Sequence, residues 1–195
     1  MNIIETIQKN LGFDTLKKID PNTQETMGEE TLIGNSAVAQ AGIPAILIGI
    51  FNKLEETPDL NLFKTEQGKL LENIFGKSTD TVITQVENYS KVSDKHIGQQ
   101  LEHIASESVR VVKEGIGDNA DEKHIRNFVA KNKPDTLLYL PPSLELGSIL
   151  KNNNIDDRTG KMEGPVSSFM HKIEKAFNTS DSSNTPETTV NNPGR

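Results

Sequence analysis

Cysteine and tryptophan are absent from this 195-residue chain. Without cysteine there are no disulfides, no thiolate metal sites and no thiol nucleophile, a usage compatible with a reducing compartment. Basic clusters are missing too: arginine occurs only at 110, 126, 158 and 195, and the net charge is −7. A duplex-binding surface needs clustered cations to displace counterions, so nucleic acid is not an expected partner. The N-terminus has neither the basic nor the apolar region of a secretory signal, and the expected location is the cytoplasm.

Long apolar runs are equally scarce. The single one, residues 37–51, is shorter than the roughly 20 residues a spanning helix needs, and it contains Gln40 and Pro44. It reads as a buried central helix. Its small residues (Ala37, Ala39, Ala41, Gly42, Ala45 and Gly49) allow close approach of a neighbour, with Gly42 and Gly49 on nearly the same face. Pro44 removes a backbone donor and disfavours helical geometry at Ile43. The expectation is two helices meeting near Gly42, or one kinked helix, ending near Glu55.

The rest of the chain follows a helical period. Ile3, Ile4, Ile7 and Leu11 lie on one face, with Gly12 as a stop. Phe13, Leu16 and Ile19 form a second short apolar group, and residues 22–35, mostly polar and acidic, can form a helix leading into the apolar run. After the turn at Thr57-Pro58-Asp59 come Leu62, Phe63, Leu70, Leu71, Ile74 and Phe75, closed by Gly76. Ser78 or Thr79 can cap a helix bearing Val82, Ile83, Val86 and Tyr89. The longest helix is expected from Ser93 to Lys113, ended by Gly115-Ile116-Gly117, with Ser108 interrupting its apolar stripe. Asn119 or Asp121 can cap the next helix, which Pro134 is expected to close. Residues 137–142 look extended, and Pro142-Ser143 can launch a short helix. Pro165 suits the first turn of a last helix holding Val166, Phe169, Met170, Ile173 and Phe177.

Strand alternation is missing throughout. The fold class is therefore all-α: a multi-helix bundle around a central apolar helix, forming a single helical domain over 1–177. Residues 178–195, mostly Ser, Thr, Asn and Pro, cannot bury enough surface to offset ordering entropy and are expected to be a disordered tail.

No motif for catalysis stands out. His96 and His103 share a helix face but sit about 10.5 Å apart along the axis, too far to bind one metal ion. His124 and His171 belong to other helices. His103 with Glu107 can offer two ligands or an imidazole held by a carboxylate, while Glu102 with Ser106 resembles a hydroxyl beside a weak base. Neither pair has a visible third member. Residues 152–163 partly match a calcium loop, yet Asp157 replaces the glycine, Asn152 the first aspartate and Thr159 the apolar residue, so a plain polar loop is expected. Gly115-Ile116-Gly117 lacks the other elements of a phosphate loop. No catalytic residue, cofactor or metal site is assigned. Whether His103, Glu107 and His124 join one site assembled across helices is left open.

Leu70-Leu71-Glu72-Asn73-Ile74-Phe75-Gly76, the helix around 79–89 and the Val92-Ser93 opening of a long helix carry a resemblance. This pattern is similar to the bacterial YidB-like family of unknown function, in which an L-L-x-x-I-F-G element precedes a valine-bearing helix, a serine-containing turn and a further helix. The likeness covers residues 68–114 and implies a compact helical fold with no established catalytic residues. This chain is more polar than that family, and its helical extension, 119–177, has no counterpart there. The functional expectation is a non-enzymatic helical protein acting through a protein partner or self-association. The alternatives are peripheral membrane association through 37–51, or binding of a small ligand or metal.

Overall fold

A computed structural model of the chain describes residues 2–19, 32–64, 68–92, 96–117, 120–152 and 155. All belong to one compact unit, Met1–Lys161; the second unit, Met162–Arg195, lies outside them. The expected helix at 22–35 falls largely outside the described residues. The last helix with His171, nearly all of the calcium-loop candidate and the 178–195 tail do so too.

The described residues form an all-α bundle without a strand. Helix α1 is Ile3–Asn10, begun by the Asn2 side chain, which accepts from Ile4 N at 3.1 Å. Its backbone donors at the first turn would otherwise lack partners. Helix α2 is Gly34–Glu56, and contacts reach it from α1, α3 (Leu70–Phe75), α4 (Thr79–Ser90), α5 (Ile97–Ile116) and α6 (Glu122–Leu137). The short α7, Leu146–Ile149, packs on α4.

Every residue from 37 to 51 is buried. A helix that is apolar all round must be covered on all sides, and five neighbours do this. The helix is long and apolar enough to cross a bilayer by length and composition, yet 94% of that stretch is buried inside the protein. Its glycines are notches. A Cβ on Gly42 would stand 2.7 Å from Leu101 Cδ2, and one on Gly49 would stand 2.6 Å from Ile74 Cγ2 and Phe75 Cε1. The two glycines thus receive α5 and α3 respectively. Phe51 meets Phe128 of α6 edge-on, with ring centroids 6.4 Å apart.

Gln40 is the polar exception in the buried stretch 37–51, and it is fully buried. Its Nε2 donates to Lys17 O at 2.9 Å and Tyr139 O at 2.8 Å, and its Oε1 accepts from Lys17 N at 2.8 Å. The strap after α1 and the turn after α6 are thereby tied to the core. Ile19 N adds a bond to Leu138 O at 2.8 Å.

Several expectations need correction. Of the two alternatives at Pro44 the single helix holds: α2 runs through the proline, which also makes α2, rather than α5, the longest helix among the described residues. Pro134 likewise lies inside α6, which continues to Leu137. Around it, Asn132 Nδ2 bonds Phe128 O at 2.8 Å and Thr136 Oγ1 bonds Asn132 O at 2.9 Å, so side chains add bonds to the backbone where proline has removed one. Residues 137–142 are not extended but form the end of α6, a turn and the start of a 3₁₀ turn, Pro142–Leu144. Helix α5 is ended by Gly117, at φ 90°, while Gly115 stays helical. A Cβ on Gly115 would stand 2.6 Å from the Phe128 ring.

Candidate functional site

The outer face of α5 carries most of the side chains singled out by sequence, and the structure gives them separate employment. Glu107 is drawn toward α1 and along its own helix. Its carboxylate accepts from Asn10 Nδ2 at 2.7 Å and from Arg110 Nε and Nη2 at 2.8 and 2.6 Å. The Arg110 hydrogen bonds hold its carboxyl below the usual range, helped by Asn10 and the nearby His103. Arg110 also bonds Glu114. His124, at the start of α6, sits beside the N-cap Asp121, whose Oδ1 lies 2.8 Å from His124 N and 2.7 Å from His124 Nδ1. These contacts, the backbone one first, lower the Asp121 carboxyl.

His103, Glu107 and His124 therefore have different surroundings. Among the described residues no three of His, Cys, Asp and Glu come together closely enough to hold a metal ion. His96 is placed at the start of α5 with Nδ1 3.1 Å from Gln99 Oε1. Asn152, first residue of the calcium-loop candidate, donates to Asn52 Oδ1 at 2.7 Å, and Ile155 is buried.

Glu102 has a different task from a base for Ser106. Helix α3 has no side-chain cap of its own. Glu102, reaching across from α5, accepts from Leu70 N at 2.5 Å and Leu71 N at 3.0 Å and supplies that cap. Ser106 remains exposed one turn further on.

Between α5 and the α3–α4 corner runs an open groove of about 890 Å³. Phe63, Leu70, Leu71 and Ile83 give it apolar surface. Glu72 of α3, Lys77 of the intervening 3₁₀ turn and Asp80 of α4 line one wall, with Glu102, His103 and Ser106 of α5 opposite. Gly98 keeps that wall low, since a Cβ there would meet only Ile83 Cδ1, at 3.7 Å. Gly76, at φ 58°, turns the chain sharply from α3 toward α4, a conformation that suits glycine. Gly76 O and Leu71 O both accept from Thr79 Oγ1, at 2.8 and 3.2 Å, which fixes the corner.

Sequence reasoning named Glu102, His103 and Ser106 but missed the groove they border. The available signal was the spacing of Gly98, Glu102 and Ser106 at four-residue intervals, one side of a helix. The facing wall comes from residues 63–83, a pairing that spacing cannot supply. Compared with known proteins, the chain matches no family model, no curated protein and no solved structure.

Proposed function

We propose that this chain is a non-enzymatic, cytoplasmic helical protein that acts through contacts with another protein or with itself. The observation that carries this reading is the groove between α5 and the α3–α4 corner, where apolar surface and polar side chains alternate in the open. Interfaces that form and separate have this mixture, an apolar centre with a polar margin. Residues 37–51 are spent on the core, which takes away the surface a lipid-binding reading would use. Kinship with the YidB-like family over residues 68–114 belongs to the same proposal. It is supported by the way the L-L-x-x-I-F-G element forms α3 and its glycine turn, next to α4 and α5.

Light scattering after size exclusion, over a wide concentration range, together with affinity capture and mass spectrometry from the native cells, tests the reading. A dimer, or one reproducible stoichiometric partner, is expected. A monomer at every concentration with no reproducible partner overturns it.

A second reading, binding of a small molecule, is favoured by the size of the same groove, which falls in the range of about 300–1,000 Å³ common for such sites. A thermal-shift screen of metabolites separates the two. A saturable rise in Tm with one compound class favours the small molecule.

A further inference from the structure

The groove has a charge pattern as well as a shape. Among the described residues, carboxylates enter it from three elements, Glu72 on α3, Asp80 in the first turn of α4 and Glu102 on α5, against the single lysine Lys77. Glu102 is already fixed by the amides of Leu70 and Leu71. A carboxylate has about four acceptor sites, so each of its oxygens can still receive another donor without reorganising. Among the described residues, Glu72 and Asp80 make no side-chain hydrogen bond or ion pair, so a cation meeting them displaces no existing partner.

These charges share a groove without converging into a group that could hold a metal ion. Acids spaced along an apolar trough suit a ligand whose cations are also spaced along an apolar body. A point cation would gain little from them, and a phosphate-bearing ligand would be repelled.

We propose that the groove receives a basic peptide segment of a partner protein, its apolar side chains against Leu70 and Ile83 and its lysines or arginines against Glu72, Asp80 and Glu102. This inference rests on the protein-contact reading above and names the partner's chemistry. The chain's net charge of −7 adds a longer-range attraction for such a segment.

The test is selection of a displayed library of random twelve-residue peptides on the full chain, with the Gly98→Leu variant as counter-target. A Cβ at 98 stands in ordinary contact with Ile83 Cδ1, so a leucine there fills groove space beside Ile83 and gains helix propensity, and circular dichroism establishes that this variant is folded. The enriched peptides should combine Lys or Arg with Leu, Ile or Phe. By fluorescence anisotropy, a synthetic copy of the leading one should bind Asp80→Lys at least about tenfold more weakly and weaken in about 0.5 M salt. Asp80 is exposed, and circular dichroism establishes that the variant is folded.

Winners without net positive charge, equal binding to wild type and Asp80→Lys, or no enrichment over Gly98→Leu would each overturn the groove assignment. Failure of the broader reading looks different. If Gly98→Leu still dimerises or captures its partner like wild type, only the groove assignment falls; if wild type does neither, the protein-contact reading falls with it.

Discussion

Helix α2 and the outer face of α5 treat polar side chains in opposite ways. In α2 the one large polar group of the buried stretch, Gln40, is used on both its amide nitrogen and its oxygen. On α5 the groove-facing His103 and Ser106 make no side-chain hydrogen bond among the described residues, and both are exposed. A buried polar group without partners costs about 1–3 kcal/mol, whereas an exposed one is satisfied by water. The core therefore puts its large polar side chain to work in holding the fold, and the groove can leave side chains to meet something else.

The largest test of this contrast is Gln40→Leu. The substitution removes the acceptor of Lys17 N and a donor to Lys17 O and Tyr139 O, all three in partly buried surroundings. With more than one backbone group deprived, a loss of about 3–4 kcal/mol is expected in urea unfolding. His103→Ala should stay within about 0.5 kcal/mol of wild type. Equal small effects from both would mean that the Gln40 bonds carry no weight and that the contrast is one of position only.

Next in size is Gly49→Ala. Helix propensity alone would gain about 1 kcal/mol, but the new methyl would press on Ile74 and on the Phe75 ring, and overpacking costs about 1–3 kcal/mol. A net loss of up to about 2 kcal/mol follows. Gly42→Ala is the control, because its nearest contact is the terminal methyl of Leu101, which can rotate away. Its stability should stay close to wild type. Reversal of that order would show that α2 is notched for α5 and not for α3.

These residues also mark how far sequence could be read. The small residues and all-round apolarity of 37–51 announced a buried central helix, because such a surface has no other stable environment in water. The caps at Gly76 and Asp121 were legible, since they act within a few residues of their own helix. Pro134 misled, as did one of the two alternatives drawn from Pro44. Propensity counts their lost bond, but neighbours on every side of α2, and side-chain bonds at Asn132 and Thr136, keep the helices going. The site was the least legible part. Glu102 looked like half of a surface pair because its true partners, the amides of Leu70 and Leu71, lie about thirty residues away.

Glu102→Ala makes that hidden role measurable. It strips α3 of the only side-chain cap it has among the described residues, and losses of about 1–2 kcal/mol accompany such removal. Glu102→Gln keeps an oxygen acceptor and should recover part of the loss. Amide hydrogen exchange gives the finer view: Leu70 and Leu71 should exchange faster in the alanine variant, while the centre of α2 changes only as global stability does. Unchanged protection at both amides would remove the capping role and leave Glu102 a groove side chain only.

Ser108 belongs to neither side of the contrast, and it yields the smallest expected effect. It lies on the inward face of α5, fully buried, and its Oγ has no hydrogen-bond partner among the described residues. If core polar groups are kept only for their bonds, this hydroxyl contributes nothing through hydrogen bonding. Alanine preserves the size, removes the unsatisfied group and is the better helix former, so Ser108→Ala should be neutral or stabilising by up to about 1 kcal/mol. Thermal unfolding followed by circular dichroism reads this as an unchanged or slightly raised Tm. A fall of several degrees would mean that the hydroxyl is bonded in solution, to a buried water or to a carbonyl of the preceding turn. Ser108 would then join Gln40 as a polar group employed inside the bundle.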